Sequence, residues 1–245
     1  MNQYYYDLHI HSCLSPCGDN DMTPNNIVSM GILNGLNIMA LTDHNSSKNC
    51  PAFVKAAKRQ GIIPICGMEL TTAEDIHVVC LFPTLEKCML FDEFVDRKRF
   101  RIINKPNIFG EQLILDENDE IIGNEECLLL NATDIAIEQT PGLVKEFGGI
   151  CYPAHIDREA NGIIAALGDF PENSGFHLAE FADSDNIEEY SIRYNEVADK
   201  RIIVSSDAHY LWNIKERQEY FEIDDEPYSS ALVTQRLFKD LGCEI

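Results

Sequence analysis

Positive charge is scarce in this sequence. Lysine and arginine number 19 against 41 aspartates and glutamates, a formal net charge of -22 at pH 7. So acidic a chain lacks the basic footprint with which proteins hold phosphate backbones, so a small phosphorylated substrate is expected ahead of long nucleic acid. Cation-binding carboxylates account for only a handful of these charges. No apolar run approaches the roughly 18 residues of a membrane helix, so no membrane partner is expected. The opening "MNQYYYDLHIH" has no basic flank ahead of an apolar core, so a cytoplasmic location is expected. No C-x-x-C pair occurs among the nine cysteines, and reduced thiols are the expectation. Several lie in apolar runs such as "IHVVCLF" and "GGICYP", where cysteine behaves as a small hydrophobe. Cys13 and Cys17 are the pair open to redox sensitivity. With no repeat, low-complexity tract or linker, residues 1–245 are expected to form one domain. Nothing in the pattern specifies an oligomeric state.

What the chain does have is alternation. Strand-like runs are "QYYYDLHI", "NIMALTD", "IIPICGMEL", "DIHVVCLFP", "GGICYPAHI", "HLAEFA" and "RIIVSSD". Helix signals separate them. Thr23 and Pro24 open one helix as N-cap and first helical residue, and Gly61 closes the next. Further helices are expected over 86–100, 133–149, 187–200 and 229–242. Apolar strands alternating with helices imply an α/β fold with a parallel sheet, and seven such strands fit a barrel better than an open sheet. Between residues 105 and 130, "GEQLILDENDEIIGNEECLL" reads as an inserted hairpin with a polar tip.

The histidines share a position in this pattern. His9 and His11 end the first strand, His44 the second, Glu69 the third and His155 the fifth; His77 lies in the fourth, and Asp207 and His209 end the last. Residues i and i+2 of a strand share a face, so His9 pairs with His11 and Asp207 with His209. In a parallel barrel the strand C-termini gather at one mouth. A single histidine at a strand end is usually structural; six beside two acids are not so explained. Without a cation such a cluster would bury carboxylates among imidazoles at a desolvation cost, whereas divalent metals ligate both groups. Eight side chains exceed the needs of one ion, so two or three are expected, with imidazole-rich ligation suiting Mn, Fe or Zn. Asp19 and Asp21, in "SPCGDNDMTP", each offer a ninth ligand or a turn and cap residue ahead of the helix.

"DLHIHS", "LTDHN", "GMEL", "PAHIDR" and "SSDAH" together resemble the signature of the PHP domain, the polymerase and histidinol phosphatase superfamily, from about Tyr5 to Tyr210. The resemblance implies a distorted (β/α)7 TIM-like barrel with a two- or three-metal site and phosphoesterase activity. It implies His9, His11, His44, Glu69, His77, His155, Asp207 and His209 as ligands. Many family members have "SDG" close behind the second histidine; here, counting back from Pro24 favours Asp19, with Asp21 open.

The expected reaction is hydrolysis of a small phosphate ester by a metal-activated hydroxide, monoester ahead of diester. Arg158 is a candidate phosphate ligand or a partner of Asp157 or Glu159 in a surface ion pair. Asp43 is a candidate orienter or proton donor, and Asp157 a weaker one. His177 starts a strand and is read as structural. Tyr210 and Trp212 are read as core or rim packing ahead of pocket lining, and "DRKRFR" (96–101) as a solvated helix face or an anion-attracting patch. Competing readings are a phosphodiesterase or exonuclease on short oligonucleotides, a non-catalytic metal-stabilised module, and metal-assisted amide or lactone hydrolysis.

Overall fold

A computed structural model describes residues 1–243 of the chain. Its elements run β1 (Asn2–Asp7), α1 (Pro24–Leu33), β2 (Ile38–Leu41), α2 (Cys50–Gln60), β3 (Ile63–Thr71), β4 (His77–Phe82) and α3 (Leu85–Asp96). Then come α4 (Pro106–Phe109), β5 (Leu113–Leu115), β6 (Ile121–Asn124), α5 (Thr140–Glu146), β7 (Ile150–Pro153), α6 (Ile163–Leu167) and β8 (Leu178–Phe181). The chain continues through α7 (Ile187–Arg193), α8 (Asn195–Ala198), β9 (Arg201–Val204), β10 (Tyr220–Ile223) and α9 (Ser230–Asp240).

Six strands form a curled sheet in the order β10-β1-β2-β3-β4-β7, while β8 and β9 pair separately in parallel. Local contacts link the two pieces into a distorted TIM-like barrel. Ile156 N donates to Glu180 O (2.8 Å), joining the end of β7 to β8. Ile10 and Ala208 form a parallel bridge that joins the end of β1 to the loop after β9. Alternate strand residues, among them Tyr6, Ile65, Leu81 and Tyr152, fill the barrel, and Val233, Leu237 and Phe238 of α9 join that cluster. A second core, with Phe53, Met68, Phe91 and Phe181, lies between sheet and helices. Among the described residues no helix is long and apolar enough to cross a membrane.

The sheet is not all parallel. β4 runs antiparallel to both β3 and β7. Residues 72–76 make a tight turn, with Thr72 N donating to Ile76 O (2.9 Å). A parallel return needs a crossover of about a dozen residues, which this connection lacks. The reversal matters for the site. Thr71, at the end of β3, stands opposite His77, at the start of β4, so His77 reaches the same rim by beginning its strand that other histidines reach by ending theirs.

Two expected helices are shorter than their patterns. Over 133–149 there is a 3-10 turn (Ile137–Gln139) and then α5, which begins where Pro141 occupies the first turn and needs no donor. Over 187–200 the helix breaks at Tyr194, whose extended backbone (φ -122°, ψ 102°) separates α7 from α8 while its ring packs near Tyr190. The hairpin β5–β6 docks beside the first loop: Leu113 N donates to Cys13 O (2.9 Å), and the Asp119 carboxylate accepts from the Thr23 hydroxyl (2.6 Å). At Gly110 (φ 101°) the inserted segment meets the carbonyl of Pro16 so closely that a Cβ would collide with it.

Candidate metal centre

Glu69 is the hub of the rim. Its Oε1 lies 2.9 Å from His77 Nδ1, 3.1 Å from His155 Nε2 and 3.3 Å from His9 Nε2. Its Oε2 lies 3.0 Å from His44 Nδ1 and 3.3 Å from His11 Nε2. Asp207 Oδ1 closes the other side, 3.0 Å from His11 Nε2 and 3.4 Å from His9 Nε2. His209 stacks on His11, with ring centroids 4.2 Å apart. All eight residues expected as ligands thus come together. His9, His11, His44, Glu69, His155 and Asp207 are buried, and His77 and His209 partly so. His155 (φ 28°), Asp207 (φ 51°) and Asn45 (φ 47°) adopt positive φ, a backbone conformation that non-glycine residues hold mainly where surroundings enforce it. Asn45 shows how: its side chain donates to Leu129 O (2.7 Å) and accepts from Thr71 N (2.8 Å).

The donor set fits divalent metals. Despite these short separations, His44 Nδ1, His77 Nδ1, Glu69 Oε2 and Asp207 Oδ1 are buried without a hydrogen-bond partner. Buried polar atoms are normally satisfied, and an ion between them would satisfy these. Among the described residues three groups have ligand atoms within 4.8 Å of one another: His11, His44 and His209; His9, His11, Glu69 and Asp207; and His44, Glu69 and His77.

The charges are strongly linked. Burial holds Glu69 against ionisation, but the surrounding imidazoles outweigh it and carry the carboxyl well below its usual range; Asp207 is lowered for the same reasons. Burial would lower His9 and His11, yet Glu180, Glu69 and Asp207 overcome it for His9, and Asp207 and Glu69 raise His11 to about 9. Burial lowers His44 to about 3 and His209 to about 4, leaving both neutral, as ligands must be. The sign of the pH dependence follows. In the metal-free protein the raised His9 and His11 contribute stability that is complete below pH 6.5 and lost as pH climbs through their folded values, about 9 for His11. The lowered His44 and His209 withdraw stability as pH falls from 6.5 towards their folded values. Melts of chelated protein are expected to peak near pH 6.5, while metal affinity rises up to about pH 9 as protons are displaced. A chelated melting temperature that is flat from pH 6 to 9 would contradict this linkage.

Behind the candidate ligands lies a supporting layer. Asp43 accepts from Ser12 N, Ser12 Oγ and Ser15 Oγ, each at 2.7 Å, and Ser15 Oγ stands 2.9 Å from His11 Nδ1. Asp43 is thereby linked to His11 through Ser15. Asp7 accepts from Ser206 N and Lys215 N, each at 3.0 Å, and so fixes the turn that carries Asp207. Glu180, in β8, was not singled out in the sequence. Its Oε1 lies 2.8 Å from His9 Nδ1 and accepts from His155 N at 3.2 Å. The signal was an acid inside the apolar run "HLAEFA", at a position 1% exposed. Carboxylates of this kind fix the tautomer of a ligand imidazole. Glu180→Gln is expected to weaken metal affinity by about 10- to 100-fold with the fold intact, read by metal titration; unchanged affinity would remove Glu180 from the site.

Other expected residues fall elsewhere. Asp19 donates its N–H to His209 O (2.9 Å), while its carboxylate accepts from Asp21 N (2.8 Å) as a turn residue. Asp21 is exposed, and its carbonyl accepts from Asn26 Nδ2. Neither carboxylate joins the groups above. Arg158 turns inward to Asp207 instead of pairing with Asp157 or Glu159. Asp157 caps the loop after β8, accepting from Ala182 N and Asp183 N. His177 is exposed just before β8. The basic run is largely neutralised: Arg99 pairs with Asp96 and Glu125, Arg101 with Asp96, and Lys98 with Asp134. Burial pushes the Cys13 thiol up to about 12. Cys17 keeps an exposed surface, but packing and the charges of Glu69 and Asp207 raise its thiol too, so both are poor nucleophiles.

The model of the PHP domain family matches residues 7–145, more than half of the chain. That span holds His9, His11, His44, Glu69 and His77; His155, Asp207 and His209 lie beyond it and reach the cluster through the fold. A 5'-3' exoribonuclease of Haemophilus influenzae is 37% identical over 79 residues, which cover 31% of this chain and 28% of that protein. In structure, the chain is similar to a lesion-specific endonuclease from Pyrococcus furiosus (TM-score 0.66, 18% identity), covering 98% of this chain and 56% of that one. A protein described as a metal-dependent phosphoesterase from Bifidobacterium adolescentis gives a TM-score of 0.62 at 16% identity, covering 99% and 98%. The chain thus spans little more than half of the endonuclease and matches under a third of the exoribonuclease. With nucleases among the similar proteins, the expected exclusion of long nucleic acid finds no support.

Proposed function

The chain belongs to the PHP domain family, and we propose that it hydrolyses small phosphate esters, monoesters ahead of diesters, with two or three divalent ions held by His9, His11, His44, Glu69, His77, His155, Asp207 and His209. The observation that carries this reading is the set of buried nitrogen and oxygen atoms that face one another without hydrogen bonds. Divalent ions bound there supply a lowered pKa for water and charge neutralisation at a phosphoryl oxygen. The protein's own groups do the remainder. Asp43 and Ser15 hold the His11 ring, Glu180 holds that of His9, and the neutral His44 and His209 remain free to ligate. In this reading Arg158, its side chain 42% exposed beside Asp207, donates to a phosphate oxygen. No serine or cysteine nucleophile is required. The buried thiols of Cys13, Cys50, Cys66, Cys80, Cys88 and Cys127 carry no disulfide, which supports a reducing, cytoplasmic setting.

Phosphodiester cleavage is the second reading, favoured by the local likeness to an exoribonuclease. A panel separates the two: Mn- or Zn-loaded protein is given p-nitrophenyl phosphate, bis(p-nitrophenyl) phosphate and a short oligonucleotide. The monoester is expected to turn over fastest, and Arg158→Ala to raise KM for it. Faster diester or oligonucleotide turnover would favour the second reading. Turnover of none would leave the non-catalytic module.

A further inference from the structure

Three residues beyond His209 stands the only tryptophan of the chain, and it is 75% exposed. Leaving an indole in water forgoes a large apolar burial. Leu211 and Ile214, on either side of it in sequence, do not share its exposure. Leu211 packs against the main core and Ile214 is 2% exposed. The turn Leu211–Asn213, closed by Asn213 N donating to Tyr210 O (2.9 Å), is therefore anchored on both sides and holds Trp212 outward. Tyr210 stacks against the indole, with centroids 4.9 Å apart and planes inclined by 20°. Backed on one face, the indole offers its other face to solvent as a rigid flat surface.

Its place relative to the candidate metal centre is bounded by the chain. Three virtual bonds of about 3.8 Å keep the Cα atoms of His209 and Trp212 within about 11 Å. Its sugar sets a nucleotide's base apart from its phosphate, so a substrate that meets the rim with its phosphate holds its base away from it. Stacking also suits this surface electrostatically. A nucleobase is neutral and binds through its π-face, so stacking needs no basic patch on a chain of net charge -22.

We propose that Trp212, backed by Tyr210, is a stacking platform for a planar heteroaromatic ring on the alcohol portion of the substrate, so that the site prefers nucleotide-type phosphate esters to aliphatic ones. The preference rests on the phosphoesterase reading; the platform itself does not. Trp212 sets specificity and does not touch the reacting atoms.

The single tryptophan makes the test direct. Adenosine, which has no phosphate, is titrated into metal-loaded protein while tryptophan emission is read, with ribose as control. Saturable quenching by adenosine alone is expected. In parallel, kcat/KM is compared for AMP and ribose 5-phosphate. Trp212→Ala is expected to lower the AMP value about 5- to 100-fold, mainly through KM, with ribose 5-phosphate unchanged and Trp212→Phe close to wild type. Absence of quenching, or equal losses on both esters, would overturn the platform. Emission that responds only to protein concentration would assign the surface to contact between copies and overturn it as well. Quenching by adenosine without hydrolysis of either ester would sustain the platform and sink the phosphoesterase reading.

Discussion

Glu69→Gln is expected to leave a folded barrel whose hydrolytic rate is lower by about 10^3-fold or more, an effect on the scale of losing a principal electrostatic contact to a transition state. The substitution keeps shape and removes charge. Five imidazoles lie within 3.3 Å of the Glu69 carboxylate. Without that anion His9 and His11 lose part of what raises them, and the groups built on Glu69 each lose an oxygen ligand. Circular dichroism should be unchanged while metal content and rate fall together. A wild-type rate would show that the hub has no part in the chemistry.

Stripping the metals is expected to have a comparable effect. Chelated protein should be inactive and should recover on adding Mn, Fe or Zn. Ions that bind the assembled rim and not the unfolded chain would stabilise the fold by about 2.7 kcal/mol at 100-fold excess over Kd. For a chain of this length that is roughly 5–10 °C in melting temperature. Full activity after exhaustive chelation would exclude a metal-dependent reaction.

The rim was legible because its residues are of unusual types in recurrent places. His9 with His11 and Asp207 with His209 share faces at strand ends, and the pattern marked them before any geometry was known. The route to the rim was less visible. His77 opens an antiparallel strand, and only the length of the connection over 72–76 carried that information. β10, which pairs with β1, was not anticipated: its "YFEI" lies among polar residues and depends on its neighbour for its place. Glu180 escaped notice because one acid in a short apolar run has no partner until β7, β8 and β1 come together. The charges of Arg99 and Arg101 suggested a patch, but their pairing with Asp96 and Glu125 is a tertiary matter. Trp212 offered no periodicity at all, and its exposure appeared only in the fold.

One measurement decides whether the rim is a metal centre. Crystals of protein supplied with manganese or zinc, with diffraction recorded on both sides of the metal absorption edge, should give two or three anomalous peaks between Glu69, Asp207 and the surrounding histidines. A rim without anomalous density under those conditions would contradict it.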